Sequence, residues 1–188
     1  MSYIERRKFL WILFLAALAL TAIVANATTL ARMKFDELTQ QATAVARLRC
    51  LGAESRWERG EIWTETKFEV LERNKGSLPE IVTVRMLGGS AGHLHSRVEG
   101  VPAFRAGEEV YLFLWAQAGE PYRVLGWSQG TFRIVKDAQT GLEMVTQDSA
   151  AEPIFDPRTR QFRKGGIRKL PVAIFQLKLR KALEHDAP

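Results

Sequence analysis

The chain has 188 residues, 46% of them hydrophobic and 26% charged, with 27 lysines and arginines against 21 aspartates and glutamates. That length and balance exclude a disordered or collagen-like chain and fit one domain with its own core. The single cysteine, Cys50, excludes a disulfide framework, and a net charge of +6 is too small to imply a polyanion partner by itself.

The chain opens on Glu5-Arg6-Arg7-Lys8, runs from Phe9 to Ala25 without a charge, and reaches the small residues Ala25-Asn26-Ala27. A basic start, an apolar middle and small residues at the two positions a signal peptidase reads predict a secretory signal peptide over residues 1–27. As a helix the apolar run would be ~25 Å long, the short limit for spanning a bilayer, so an uncleaved N-terminal membrane anchor is the alternative. Either way the remainder is expected to be exported, to the periplasm or the extracellular space. In that oxidising setting an unpaired Cys50 is expected to be buried and inert.

Phe35 to Ala42 carries early acids and predicts a short helix. Ala44–Trp57 and Ile62–Arg73 predict a long hairpin about the turn Glu58-Arg59-Gly60-Glu61. In its second arm Ile62, Thr64, Thr66, Phe68 and Val70 share one face, the period of a half-buried strand. Asn74-Lys75-Gly76-Ser77 is turn chemistry, and Ile81–Leu87 is the third strand. From Gly88 to Gly107 the chain is polar and glycine-rich, which predicts a long surface loop with little regular structure. Val110–Trp115 is apolar on both faces and so a central strand. Tyr122–Trp127, Gly130–Val135 and Leu142–Gln147 complete a meander. Trp115 and Trp127 are expected to fill the core, and Trp57 and Trp63 to stack across the first hairpin.

Beyond Asp156 the character changes. Arg158, Arg160, Arg163, Lys164, Arg168 and Lys169 occur with no acid among them, followed by Pro171–Leu183, where Val172, Phe175, Leu179 and Leu183 form one helical stripe. The fold class expected is mostly β: a small antiparallel barrel or sandwich, with a short N-terminal helix and a C-terminal helix. Residues 28–156 are expected to form the exported β-barrel domain, and residues 157–188 a basic linker and the C-terminal helix.

Several motifs carry a resemblance: the long first hairpin, Lys75-Gly76, the strand ending in Gly88-Gly89, Gly107-Glu108-Glu109 before Tyr111-Leu112-Phe113-Leu114, and Gly126-Trp127-Ser128-Gln129-Gly130-Thr131-Phe132. Their order, over about residues 42–135, resembles a group of small exported bacterial proteins. It is distantly similar to the inhibitor domains of metalloproteinase tissue inhibitors and netrins. The resemblance implies a five-stranded Greek-key barrel of the oligonucleotide/oligosaccharide-binding (OB) type. It does not imply protease inhibition. Those inhibitors insert a disulfide-bonded N-terminal cysteine into the protease zinc site, whereas this chain would begin at Thr28 and has only Cys50.

Three constellations could carry function. Gly126-Trp127-Ser128-Gln129-Gly130 matches the G-x-S-x-G elbow, with Asp156 and His185 following in hydrolase order, but Thr131–Val135 reads as a strand where that elbow needs a helix. His93 and His95, two residues apart, could chelate a transition metal but lack a marked third ligand. The basic run Arg158–Lys169, with Phe162 inside it, is a candidate contact patch for an anionic lipid surface or polysaccharide, nucleic acid being an unlikely partner. No phosphate loop, cysteine-rich metal motif or paired carboxylates on rigid strands is present, and no cofactor is expected. The expectation is therefore an exported, non-enzymatic binding or interaction module of the bacterial cell envelope, presenting the Gly88–Gly107 loop and the basic run to a lipid, polysaccharide or protein partner. A serine hydrolase at Ser128 is the alternative.

Overall fold

The computed structural model of the chain describes residues 30–184; the signal peptide expected over residues 1–27 and His185 lie outside them. One antiparallel sheet dominates. Its long hairpin joins β1 (Ala44–Glu58) to β2 (Glu61–Lys75), and β3 (Ile81–Leu87) follows on β2. A small separate hairpin, β4 (Gly89–Ala91) and β5 (Leu94–Ser96), precedes β6 (Glu109–Trp115), which returns to pair with β1. The short β7 (Arg123–Val124) pairs with the end of β6, and β8 (Thr131–Lys136) and β9 (Glu143–Gln147) extend the sheet on the far side. A second small hairpin, β10 (Ile154–Asp156) with β11 (Gln161–Arg163), comes before β12 (Leu170–Pro171), which pairs with β9. The path across the sheet is β12-β9-β8-β6-β1-β2-β3. One isolated parallel bridge, Val84 with Tyr122, links β3 to the residue before β7.

The helices are α1 (Phe35–Gln41) and α2 (Val172–Glu184). Helix α1 starts where the Lys34 amide donates to the Glu37 carboxylate at 2.8 Å, with Asp36 and Glu37 in the first turn, where acids suit exposed backbone N–H groups. Helix α2 buries the predicted stripe: Phe175 and Leu179 have no more than 1% of their surface in water, while Ile174 and Leu177 face outward.

The two central strands explain the layering. Residues alternate sides along a strand, so β1 and β6 each feed two cores. Ala44, Ala46, Leu48 and Cys50 join Val110, Leu112 and Leu114 on one face, packed with Phe68, Val82 and Val84 from β2 and β3. Val45, Tyr111 and Phe113 point the other way, into a cluster with Phe132, Leu38 of α1 and Phe175 of α2. Phe35 meets Phe113, Phe132 and Phe175 edge-on, with ring centroids 5.6–5.9 Å apart. Cys50 is buried in the first core, and that burial pushes its thiol pKa up, away from the reactive thiolate.

Some expectations are corrected. Residues 88–107 carry little regular structure, as expected, but include one small hairpin, β4 with β5; three-residue strands leave too little alternation to be read in a glycine-rich stretch. The stretch 157–169 is not a plain linker. It includes β11, and β12 and α2 behind it are built into the main sheet and the second core. Trp115 is not a core residue but over a third exposed, at the end of β6 where it pairs with Arg123 of the two-residue β7. Trp57 and Trp63 do not stack on each other: Trp57 pairs with Ile62 and Trp63 with Arg56, so the two rings leave opposite faces of the hairpin. Trp63 instead lies under the guanidinium of Arg85, 4.6 Å from the ring centre, with Arg123 at 5.4 Å.

Candidate functional site

The main concavity is an open cleft of about 800 Å³ between the β1–β3 sheet and the segment Ser96–Phe104. Its construction begins at the far end of the long hairpin. The Ser55 and Thr64 hydroxyls, opposite each other in the β1–β2 register, hydrogen-bond at 2.8 Å, and Thr64 Oγ1 donates to the Gly88 carbonyl at 2.6 Å. This seats the β4–β5 hairpin against the sheet. Gly89 makes the approach feasible. Its φ of +125° is costly for a side-chain residue, and a Cβ there would collide with both hydroxyls.

Arg133 of β8 ties down the opposite wall. Its guanidinium takes both Asp148 carboxylate oxygens, at 2.8 and 3.0 Å, and Glu108 at 2.7 Å, and donates to the Ala103 carbonyl at 2.8 Å. Phe104 lies beneath the same guanidinium, 5.4 Å away, and meets Phe68 of the core edge-on at 5.1 Å. One cation thus fixes the segment before β6 to the strand after it. Burial pushes the Asp148 carboxyl pKa up, against the pull of Arg133.

Ser128 lines the cleft, 3% exposed, on a 3₁₀ turn over Trp127–Gly130. Gly126 and Trp127 both have left-handed φ, +62° and +53°; for tryptophan this is an uncommon conformation that tertiary packing must hold. The Ser128 amide donates to the Gly100 carbonyl at 2.8 Å, and its hydroxyl donates to Glu152 at 3.1 Å. The Gln129 amide, the donor an elbow would offer to an oxyanion, donates to the Gly126 carbonyl at 3.0 Å. β8 follows directly, where a nucleophile elbow needs a helix. Asp156 does not join Ser128. Its carboxylate accepts the Arg158 and Thr159 amides in the turn between β10 and β11, which holds its pKa below the usual range.

The histidine pair divides. His95 Nδ1 is 2.8 Å from the Ser90 hydroxyl and faces the cleft, while His93 sits in the β4–β5 turn. Among the described residues no group of three His, Cys, Asp or Glu side chains is gathered as a metal would require.

All six cations of the basic run are exposed, but they are not equivalent. Arg158 pairs with Glu37 of α1 at 3.2 Å, and Arg168 donates from Nε (3.0 Å) and Nη2 to the Ala150 carbonyl. Arg163 donates to Gln161, and the Lys169 amide to the Thr146 hydroxyl. Arg160 and Lys164 have no ion pair among the described residues. The run therefore resolves into a structural arginine, Arg168, and a hairpin that displays charge.

Arg133, Glu152 and Gln129 carried no signal as site builders in the sequence: an isolated charge on an alternating strand such as Arg133 reads as a solvated face, and Gln129 and Glu152 belong to short turns with no periodicity to read. No protein-family model, curated protein or solved structure matches this chain.

Proposed function

We propose that this chain is an exported, non-enzymatic binding module of the cell envelope, and that its ligand occupies the cleft walled by residues 95–104. The observation that carries this reading is the cleft itself. Its volume falls within the roughly 300–1,000 Å³ typical of ligand sites. Its walls are held from both sides, by Ser55 and Thr64 at one end and Arg133 at the other, so a mobile-looking stretch of sequence becomes a preformed surface.

The same reading extends to architecture. β1, β2, β3, the Tyr122 position and β6 follow the strand order of an OB-type Greek-key barrel. The parallel Val84–Tyr122 bridge, with the Arg85 amide donating to the Tyr122 carbonyl at 2.8 Å, supports closure there. Binding on a face of such a barrel, flanked by its loops, is a common use of that design.

A photoreactive amino acid at Glu99, in the cleft, should give specific adducts in intact envelopes, and the same group at Lys67, an exposed position on β2, should not. Equal labelling from both positions removes the reading. The hydrolase alternative has one observation in its favour: Ser128 lines the same cleft beside a carboxylate. A broad ester and peptide screen decides it. Activity present in wild type and lost in Ser128→Ala establishes a hydrolase, and equal activity ends the idea.

A further inference from the structure

The β10–β11 hairpin and the first described residues form one surface. Ala31 makes a parallel bridge to Phe155, and the Arg32 amide donates to the Phe155 carbonyl at 2.8 Å. The buried Gln129 side chain clamps the same segment, donating to the Ala31 carbonyl and accepting from the Met33 amide, both at 2.8 Å. Gly165 lies against the Arg32 guanidinium, and Arg32 and Arg163 line the same small cavity.

Across the hairpin Phe155 pairs with Phe162, ring centroids 5.5 Å apart, and paired residues point to the same face. Phe162 is 63% exposed, the most exposed large hydrophobic side chain described. Arg158 and Arg160 occupy the turn, Lys164 follows the strand, and no Asp or Glu occurs between Asp156 and Glu184. An exposed ring flanked by the cations of the turn and of the strand end is suited to an interface that is anionic at the rim and apolar beneath. A polysaccharide offers the charge without the apolar layer.

The sequence adds a second, independent reason. The uncharged apolar run Phe9–Ala25 ends five residues before Leu30, a reach of about 17 Å fully extended. Where that run is retained as the anchor, the alternative to cleavage, its hold on lipid would deliver the hairpin to the headgroups. We propose that the β10–β11 hairpin is a membrane-surface contact that binds anionic lipid headgroups through Arg158, Arg160, Arg163 and Lys164, with Phe162 entering the interface. The contact is separate from the cleft, and its success or failure leaves the cleft reading untouched.

The test uses the full chain and vesicles of phosphatidylcholine alone or mixed with phosphatidylglycerol, scored by co-flotation across a salt series. The apolar N-terminal run contributes to both vesicle types, so the quantity read is the preference for acidic over neutral vesicles. Replacing Arg158, Arg160, Arg163 and Lys164 with glutamine should cut that preference at least about tenfold, since each cation near an anionic surface is worth roughly fivefold. A charge-matched control with glutamine at Arg59, Lys67, Arg105 and Lys136 should keep it. Phe162→Ala should weaken binding to acidic vesicles about fivefold while leaving retention on a dextran sulfate column unchanged. Thermal melts of each variant should superimpose on wild type, because the replaced side chains are exposed. The proposal is overturned by an unchanged preference in the quadruple variant, by an equal loss in the control, or by a Phe162→Ala protein that binds vesicles like wild type.

Discussion

The two faces of the central strands solve the same problem by different means. The first core, lined by β1–β3 and β6, is mostly aliphatic, with Phe68 and Phe104 as its two buried rings. The second rests on a cluster of aromatic rings and has to be covered by helices from the two ends of the described chain, α1 and α2. The first core takes three of its strands, β1–β3, in succession and adds β6, which returns to pair with β1. The second needs residues 35 and 175 to meet, and so depends on the fold as a whole. Each face also carries its own arginine network. Beyond the aromatic cluster, the second face holds Arg47, which bonds Glu109 at 2.6 Å and Glu143 at 3.0 Å and approaches Glu72 at 3.6 Å; on the first face Arg133, paired with Val110, gathers Asp148 and Glu108 at the cleft.

The comparison breaks most sharply at the helix. Phe175→Ala should cost about 4 kcal/mol, as large as Phe68→Ala in the first core, because both rings are fully buried. If α2 is integral, urea unfolding of Phe175→Ala, followed by tryptophan fluorescence and by far-ultraviolet circular dichroism, will show one shifted transition. Two separated transitions would make the second core an appendage.

Next comes Arg47→Ala, expected to cost about 2 kcal/mol, since it removes the guanidinium that Glu109 and Glu143 share and leaves Glu109 with Arg49 alone. The companion effect is on pH. Burial alone would raise the Glu109 pKa, but the Arg47 and Arg49 guanidiniums override it and hold the carboxyl below its ordinary 4.5. A depressed folded value means the contribution is complete above pH 4.5 and fades as the pH falls through the folded value. Urea midpoints measured between neutral and strongly acidic pH should therefore decline in wild type below about pH 4.5, and less steeply in Glu109→Gln.

The smallest effect sharpens the contrast from outside. Leu177→Ser, on the exposed side of α2, should shift stability by less than about 0.5 kcal/mol. A large loss would mean that this side of the helix is covered in the functional state.

Much of this was legible along the chain. The two arms of the long hairpin, β3, β6 and the α2 stripe fall where alternation and helical spacing put them, because each buries one face over many residues and periodicity accumulates. The short elements did not announce themselves. β4, β5, β10 and β11 span three residues each, too few for a pattern, and are held by turn geometry and tertiary contacts. For the candidate site, the sequence marked the Gly88–Gly107 stretch and the cations of residues 158–169. It could not distinguish Arg168, spent on a carbonyl, from Arg160 and Lys164, which display their charge.

By itself the sequence determined local conformation and sidedness: which segments extend, which face of each avoids water, and where glycine permits a turn. These follow from side-chain size, polarity and spacing within a few residues. Only the tertiary structure decided that Arg133 would pin the cleft wall, that Gln129 would clamp residues 31–33, and that the basic hairpin would lie beside them. Each of those contacts joins groups some 30 to 124 positions apart, and nothing local in a polypeptide encodes which distant partner a side chain will meet.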